Sequence, residues 1–517
     1  MAISADVDVD GRQDQDTIQP LLVTSAAPAA DSISVELGSE GAANSSTTAE
    51  ADLDIDELLH CSNVKSESKL LLQSALPIIM STTTQLLIML PMMSAVGGLG
   101  TAALASMNLV SIYAGLCGIA PLSGMAMALD SLCSQAFTAA KDKRMLGLYL
   151  QRVFVLIVGI EAVIYPLWWN AQPIFKHIGV PDEIARIAGQ MLRLYFFGVG
   201  ALLVYECLKS YLFAQGIRRA AVIGQACCLP LIWLSIWLLI SNDATSLGIL
   251  GVPSVIIVAG LCFGIFSFVF IARVDGYQCW GGWSRAAFSG LWPVFKLGIA
   301  GSTITFFEMI SLHMIDLGVL FLDAPTMAAQ AILAVLLSGT SYFGTGFAIA
   351  ACNRVGNMLG SQLPNRALLT VYVTLSIAFS TFAVLCGVVV ANCEAIAGLF
   401  SDDAKVVAIL SAHIPWAAVG GTVQGASMAL SGILRGQGRQ SLIARIRIAS
   451  FAGIALPLSV VAVVGFKWQL AGLWFGYVSG AAVSMCGQIY AVLTTDWNNE
   501  VELCQHRILH VNTITLE

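Results

Sequence analysis

Long apolar runs separated by short polar segments fill the chain from Lys69 onward. Because a helix that spans a bilayer needs about 20 apolar residues, each run is a candidate membrane span, and we count twelve. Their approximate cores are residues 70–95, 102–124, 148–170, 188–208, 220–241, 247–272, 293–322, 327–350, 367–390, 405–432, 442–464 and 470–493. The short connections leave no room for a soluble catalytic domain, so the pattern predicts an all-α membrane protein.

The segment 1–67 has a different pattern, rich in Asp, Ser, Ala and Thr and poor in aromatic side chains. Such a segment buries too little apolar surface to offset its ordering entropy, which predicts a disordered tail. It lacks the basic and then apolar stretches of a signal peptide. Asp54-Ile-Asp-Glu-Leu-Leu59 fits an acidic dileucine sorting pattern, for which a chance match in an acid-rich tail is the alternative.

Composition changes the picture in three ways. Charged residues make up only 11% of the chain, against roughly a quarter in soluble domains, which excludes an ordinary soluble protein and a nucleic-acid binder. The tail holds 14 acids and two bases, a charge of −12, whereas the other 18 acids and 23 bases sum to +5. The 13 cysteines lie mostly in apolar runs, which favours small buried side chains over disulfides or a metal site.

The basic residues indicate an orientation. They concentrate in alternate loops. The residues in these loops are Lys141, Lys143, Arg144, Arg218, Arg219, Arg273, Arg285, Arg366, Arg435, Arg439, Arg445 and Arg447. Because cytosolic loops carry an excess of Lys and Arg, we predict that both termini are cytosolic. The plasma membrane and the vacuolar membrane both stay open as locations.

Short patterns occur twice along the chain. Gly124-Met-Ala-Met-Ala-Leu-Asp130 corresponds to Gly344-Thr-Gly-Phe-Ala-Ile-Ala350, and Gln215-Gly216 corresponds to Gln437-Gly438. The separation along the chain is nearly the same for both pairs, which predicts two six-helix halves. Since six is even, the two repeats should be parallel, with a cavity between them, as in secondary transporters.

These motifs resemble those of the multidrug and toxic compound extrusion (MATE) family. The resemblance rests on Gly124 to Phe137, Met145 to Arg152, Arg354 to Gly360 and Gly432 to Gln440, and it looks most like eukaryotic members. It implies a V-shaped pair of bundles, at 68–285 and 286–495, followed by a short cytosolic tail at 496–517. It also implies a cation-coupled antiporter, acting as a monomer without a bound cofactor, that exchanges protons for small organic solutes.

Span 7 holds the leading candidate for ion coupling, Glu308. Burial favours the neutral form of a carboxyl group and a nearby cation favours the charged form, so a buried Glu holds either a proton or a cationic substrate. A structural Glu bonded to Ser or Thr neighbours is the alternative. His313 and Asp316, three residues apart on the same helix, are further coupling candidates. According to this resemblance, animal and plant members of the family have a Glu at the position of Glu308 and a second Glu at the position of His313.

Further site residues fall into two sets. Candidates for the substrate cavity are Gln85, Tyr113, Phe307, Ser311, Tyr342 and Gln424. Candidates for a polar motif at the inner side are Asp130, Gln135, Arg152, Arg354 and Arg435. Glu206 and Lys209 are three residues apart, which predicts a local ion pair. Gln424 stands where animal members have a carboxylate, and the scarcity of acids argues against sodium coordination and against dicationic substrates.

Two other functions compete with antiport. A flippase for lipid-linked substrates predicts a basic cavity that holds a phosphate, whereas the candidates here are mostly acidic or neutral. An intramembrane enzyme needs a nucleophile with a base or a cluster of histidines, and the chain has six His in all. The sequence therefore favours proton-coupled export of organic, cationic or amphiphilic, compounds.

Overall fold

The computed structural model describes residues 61–319, 321–401 and 403–516. Residues 1–60, which include most of the predicted tail and its dileucine pattern, lie outside the described residues. The described residues fold into helices and connecting loops, without a strand.

Twelve helices in the described part of the chain are long and apolar enough to cross a membrane, as predicted. We number them as spans 1 to 12. Their bounds are Asn63–Gly97, Ala102–Ala139, Met145–Trp169, Asp182–Ala214, Arg219–Ser241, Gly248–Arg273, Leu291–Val319, Ala324–Gly360, Pro364–Ala391, Ala404–Gly436, Gln440–Gly465 and Gln469–Leu493. Spans 1 to 6 form the first half of the molecule and spans 7 to 12 the second half. The even-numbered spans from 2 to 10 all finish at the same end of the molecule. We call this end the basic end.

The helix of span 1 begins at Cys61, inside the segment predicted to be a disordered tail. Glu67, at its start, is buried and accepts hydrogen bonds from Arg354 Nε at 2.9 Å and from Thr370 Oγ1 at 2.8 Å. The negative charge of Glu67 favours its assignment to the acidic tail. In the structure this carboxylate binds partners in the second half of the chain. The predicted boundary at residue 67 therefore falls inside an ordered helix.

The turn after span 4 and the turn after span 10 have the same backbone conformation. Gly216 has φ +79° and Gly438 has φ +76°, a left-handed value that favours glycine. The two glycines are the second members of the repeated Gln-Gly pattern. The repeat seen in the sequence is therefore also a repeat of local structure.

Close helix crossings show the same symmetry. A Cβ atom at Gly124 of span 2 would overlap the backbone of Ser302 in span 7, and one at Gly346 of span 8 would lie 3.0 Å from the Cα of Ile79 in span 1. Gly346 is therefore the structural counterpart of Gly124, and the two are separated along the chain by the same distance as the two glycine turns. The sequence alignment of Gly124 with Gly344 was two residues out of register, because it matched letters and not crossing points.

Contacts between spans complete the two-fold pattern. Span 1 packs against spans 5 and 8, and span 7 packs correspondingly against spans 11 and 2. A core cluster of the first half continues at the basic end into Val355 and Leu359 of span 8 and Ile433 of span 10. A second cluster lies within the second half, around Leu333 and Trp474. The halves thus exchange contacts through spans 1 and 7 and share a core at the basic end.

The segment predicted as a short C-terminal tail is a helix, Trp497–Leu516, which packs against spans 2, 8 and 9. Cys504 and Ile508 are buried in the core shared at the basic end. The polar residues of the C-terminal helix do not indicate this packing in the sequence, since their partners lie on other helices.

Candidate functional site

A cavity of about 510 Å³ lies between the two halves. Spans 1, 2, 4, 7, 8, 10 and 11 contribute its walls. The polar and charged lining residues are Thr82, Gln85, Ser123, Asp130, Tyr195, Glu206, Lys209, Ser210, Thr305, Glu308, Tyr342, Thr345, Ser431, Arg435 and Arg447. The cavity lining thus contains three acids, Asp130, Glu206 and Glu308, and three bases, Lys209, Arg435 and Arg447.

The structure brings some predicted site residues to this cavity and places others elsewhere. Glu308, Gln85 and Tyr342 line it. Tyr113 is not among the lining residues, and its ring packs edge-on against Phe175 with centroids 5.0 Å apart.

Phe307 and Ser311 also stay outside the lining, although they flank Glu308 on span 7. Phe307 packs against the core of the second half. Ser311 is buried, and its hydroxyl donates to the main-chain oxygen of Glu308 at 2.7 Å. Phe307, one position before Glu308, points about 100° away from it around the helix, whereas Ser311, nearly one turn on, uses its hydroxyl on the helix main chain.

Two of the three acids that line the cavity are engaged in ion pairs. Lys209 Nζ lies 2.5 Å from Glu206, which is the local pair that their spacing predicts. Arg435 of span 10 lies 3.5 Å from Asp130 of span 2, so this pair connects the two halves. All four residues line the cavity.

Glu308 is the third acid, and it has no Lys, Arg or His nitrogen within ion-pair distance among the described residues. Its carboxylate accepts a hydrogen bond from Gln424 Nε2 at 3.3 Å. Gln424 Oε1 in turn accepts from Arg447 Nη1, also at 3.3 Å. Gln424 does not line the cavity but connects a carboxylate and a guanidinium that do.

Arg447 is a residue whose role the sequence analysis missed. The sequence pattern groups Arg447 with the loop bases, yet it lies within span 11 and its side chain is fully buried, while Arg445 is exposed. Residues two apart on a helix point about 200° apart. Gln440, Ala444 and Arg447 follow the spacing of one buried helix face, and that periodicity was the available signal.

His313 and Asp316 pair with each other outside the cavity lining. His313 Nδ1 lies 3.4 Å from Asp316 Oδ2. Gln330 of span 8 donates to the other Asp316 oxygen at 3.1 Å, and Trp474 of span 12 donates to Gln330 at 3.1 Å. Glu308 and His313 lie about 140° apart around the helix. The hydrogen bonds that link His313, Asp316, Gln330 and Trp474 therefore extend into the second half and not into the cavity.

Of the five residues of the predicted inner motif, Asp130 and Arg435 meet as an ion pair, whereas Gln135, Arg152 and Arg354 bind other partners. Besides the pair of Asp130 with Arg435, Gln135 donates to the main-chain oxygen of Gly436 at 2.7 Å. Arg354 binds Glu67 instead of joining Gln135. Arg152 is fully buried, with its guanidinium carbon 5.9 Å from the Tyr149 ring centroid.

The C-terminal helix connects to the basic end. Arg507 donates to Gln135 Oε1 at 3.0 Å and to the main-chain oxygen of Gln437 at 2.7 Å. It also lies 3.6 Å from Glu500. Burial raises the pKa of Glu500 above its ordinary value, although Arg439 and Arg507 act in the opposite direction. Arg507 thus contacts the first half and the second half together.

Comparison with known proteins adds independent findings. A family model described as MatE matches the chain twice, at residues 77–237 and 299–461. The starts of the two matches have the same separation as the glycine turns and the helix crossings. Together the matches cover more than half of the chain.

Curated relatives align with most of the chain. The uncharacterized transporter YDR338C of Saccharomyces cerevisiae is 27% identical over 437 residues, which is 84% of this chain and 62% of the relative. The chain thus spans less than two thirds of that relative. The protein DETOXIFICATION 41 of Arabidopsis thaliana is 28% identical over 432 residues, 80% of this chain and 81% of the relative.

A solved structure shares the fold. The eukaryotic MATE transporter AtDTX14 superposes with a TM-score of 0.81 at 22% identity, covering 86% of this chain and 99% of that one. With the doubled family match, the twelve spans and the two-fold packing of its halves, the chain belongs to the MatE family of membrane transporters.

Proposed function

We propose that this protein is a secondary active antiporter that exports organic cations or amphiphilic compounds in exchange for protons. Membership of a transporter family supports the transport of a solute across the membrane. The name DETOXIFICATION, which the plant relatives carry, supports foreign or waste compounds as the exported class.

The observation that carries this proposal is the difference in ion pairing among the three acids that line the cavity. Asp130 and Glu206 are each paired with a base, whereas Glu308 has no ion-pair partner among the described residues. A carboxylate that makes no direct ion pair can accept a proton or a cationic group. Because either ligand neutralises the same charge, their binding is mutually exclusive, which couples the two fluxes.

The walls of the cavity suit a flat apolar body next to the charged group. Tyr195 and Tyr342 offer aromatic faces that attract cations. Met127, Met309 and Met428 add flexible thioether side chains that adapt to different shapes. These residues support a range of organic substrates more than a single one.

We propose a different role for His313 and Asp316. They lie outside the cavity lining, where His313 contacts Asp316 and Asp316 accepts from Gln330. In this proposal they do not contact the substrate. An imidazole, which can both accept and donate a proton, suits a path for protons between Glu308 and the aqueous phase.

A flippase for lipid-linked substrates is less well supported. Its phosphate group calls for an excess of positive charge, whereas the cavity has three acids and three bases. The clustering of Lys and Arg in alternate loops supports cytosolic termini, in either the plasma membrane or the vacuolar membrane.

The test uses purified protein in vesicles with an imposed pH gradient and a fluorescent organic cation. We expect uptake by the wild type that collapses when the gradient is dissipated, and uptake by Glu308→Gln that falls at least about tenfold and no longer responds to pH. Glu183→Gln is the matched control, because Glu183 is an exposed acid at the start of span 4. Normal, pH-dependent uptake by Glu308→Gln would remove Glu308 from the mechanism. Uptake driven by sodium without a pH gradient would replace the proton as the coupling ion.

A further inference from the structure

The Gln424 amide lies between two opposite charges. Its nitrogen donates to Glu308 and its oxygen accepts from Arg447, both at 3.3 Å. Gln424 is 2% exposed and Arg447 is not exposed at all, so little water screens these two side chains. The orientation of the amide favours a negative Glu308 and a positive Arg447 together.

Arg447 has no carboxylate partner of its own. Among the described residues no acid lies within ion-pair distance of its guanidinium group, and its Nε atom is buried without a hydrogen-bond partner. The guanidinium carbon lies 5.8 Å from the Phe451 ring centroid, and the side chain lines the cavity. A buried charge is costly unless an opposite charge compensates it, and the Glu308 carboxylate, one amide away, is placed to do so.

The remaining charges of the cavity are already matched. Glu206 pairs with Lys209, and Asp130 pairs with Arg435. The three acids and three bases of the lining therefore cancel when Glu308 is ionised. A substrate with one positive charge finds one carboxylate to approach, and a second positive charge finds none that is unpaired in the described structure.

We propose that Arg447 is a specificity-determining residue that restricts the cavity to singly charged organic cations. This inference rests on the proposed export of organic cations. Glu308 attracts and Arg447 repels a cation in the cavity, and both Coulomb energies scale with its charge, so the position of each charge decides the outcome. A monocation places its single charge at Glu308. A dication that places one charge there brings its second charge toward Arg447, where no second unpaired carboxylate offsets the repulsion. Arg447 thus acts as an internal positive charge that occupies the place of the dication's second charge.

The test compares two probes, the monocation ethidium and the dication methyl viologen, in vesicles with a pH gradient. For each variant the ratio of the two initial uptake rates is measured, since the amount of folded protein cancels in the ratio. We expect the wild type to prefer ethidium. In Arg447→Gln the ratio should move toward methyl viologen by at least about tenfold.

Arg447→Lys is the matched control, because it keeps the charge and loses the planar guanidinium group. It should keep the wild-type ratio even if both rates fall. Arg447→Met repeats the neutral substitution without a polar group, in case Arg447→Gln does not fold. A structural role would lower both uptake rates together and would not separate the neutral variants from the lysine variant.

The outcomes separate this inference from the function on which it rests. If the wild type carries neither probe, the proposed export of organic cations is wrong and this inference falls with it. If the wild type carries methyl viologen as readily as ethidium, or if the neutral variants keep the wild-type ratio, the role of Arg447 alone is overturned.

Discussion

At Gly124, the missing side chain lets the backbones of spans 2 and 7 approach each other. A Cβ atom there would overlap the main chain of Ser302, and backbone cannot move aside as a flexible side chain can. Ser302 also donates its hydroxyl hydrogen to the main-chain oxygen of Pro121 at 2.7 Å, across the same crossing. Small residues at crossing points are a general means of close helix packing in membranes.

We therefore expect Gly124→Ala to destabilise the protein by about 1–3 kcal/mol, the usual cost of overpacking. The measurement is the thermal unfolding midpoint in detergent. Gly159→Ala is the matched control, since a Cβ atom at Gly159 in span 3 meets nothing within 4 Å. Equal midpoints for the two variants would show that the crossing relaxes at little cost.

The residues that could be foreseen from the sequence are those whose chemistry is unusual for a membrane. Glu308 stands out because an acid within an apolar run is rare and costly. Arg447 could not be singled out in the same way, since it lies near the start of span 11 among other bases. The packing of the helices turns Arg447 inward and leaves Arg445 exposed, and the periodicity of one helix face is the weaker sequence signal for the same difference.

Among the elements, the C-terminal helix departs most from expectation. Its sequence is polar enough to be interpreted as a tail, yet one side of it is buried against spans 2, 8 and 9. Burial raises the pKa of the Cys504 thiol to about 11. A docked helix therefore keeps this thiol both covered and protonated.

We expect Arg507→Ala to loosen the docked helix, because the change removes the bonds to Gln135 and Gln437 and leaves Glu500 with one fewer cation. The rate at which a maleimide labels Cys504, followed by mass spectrometry of the peptide, should rise about tenfold. His506→Ala is the control on the same helix, since His506 is exposed. Unchanged labelling of Cys504 in Arg507→Ala would mean that apolar contacts alone hold the helix.

For the whole molecule, the decisive contacts are those between the halves at the basic end. Asp130 and Arg435 are each about 5% exposed, and their pair joins span 2 to span 10. Gln135 and Gly436 form a second connection between the same spans. The halves are thus held together by polar contacts placed inside a shared apolar core.

We expect Asp130→Asn to lower stability by about 3–5 kcal/mol, because it leaves Arg435 buried without its counter-ion. Adding Arg435→Gln should recover part of this loss, since the double variant buries no unpaired charge. Thermal unfolding of the two single variants and the double variant forms a double-mutant cycle. Strictly additive losses would show that the two charges do not stabilise each other.

The sequence by itself determined the twelve spans, the doubled architecture and the membership of a transporter family. These properties are readable because a bilayer demands a continuous apolar run for each helix, which is a local property of the chain. The tertiary structure decided which polar groups meet, as in Gln424 with Glu308, 116 residues apart, and Gln135 with Arg507, 372 residues apart. It also decided the rotation of each helix, which turns Arg447 inward, because that rotation follows from packing against neighbours and not from the residues of one helix alone.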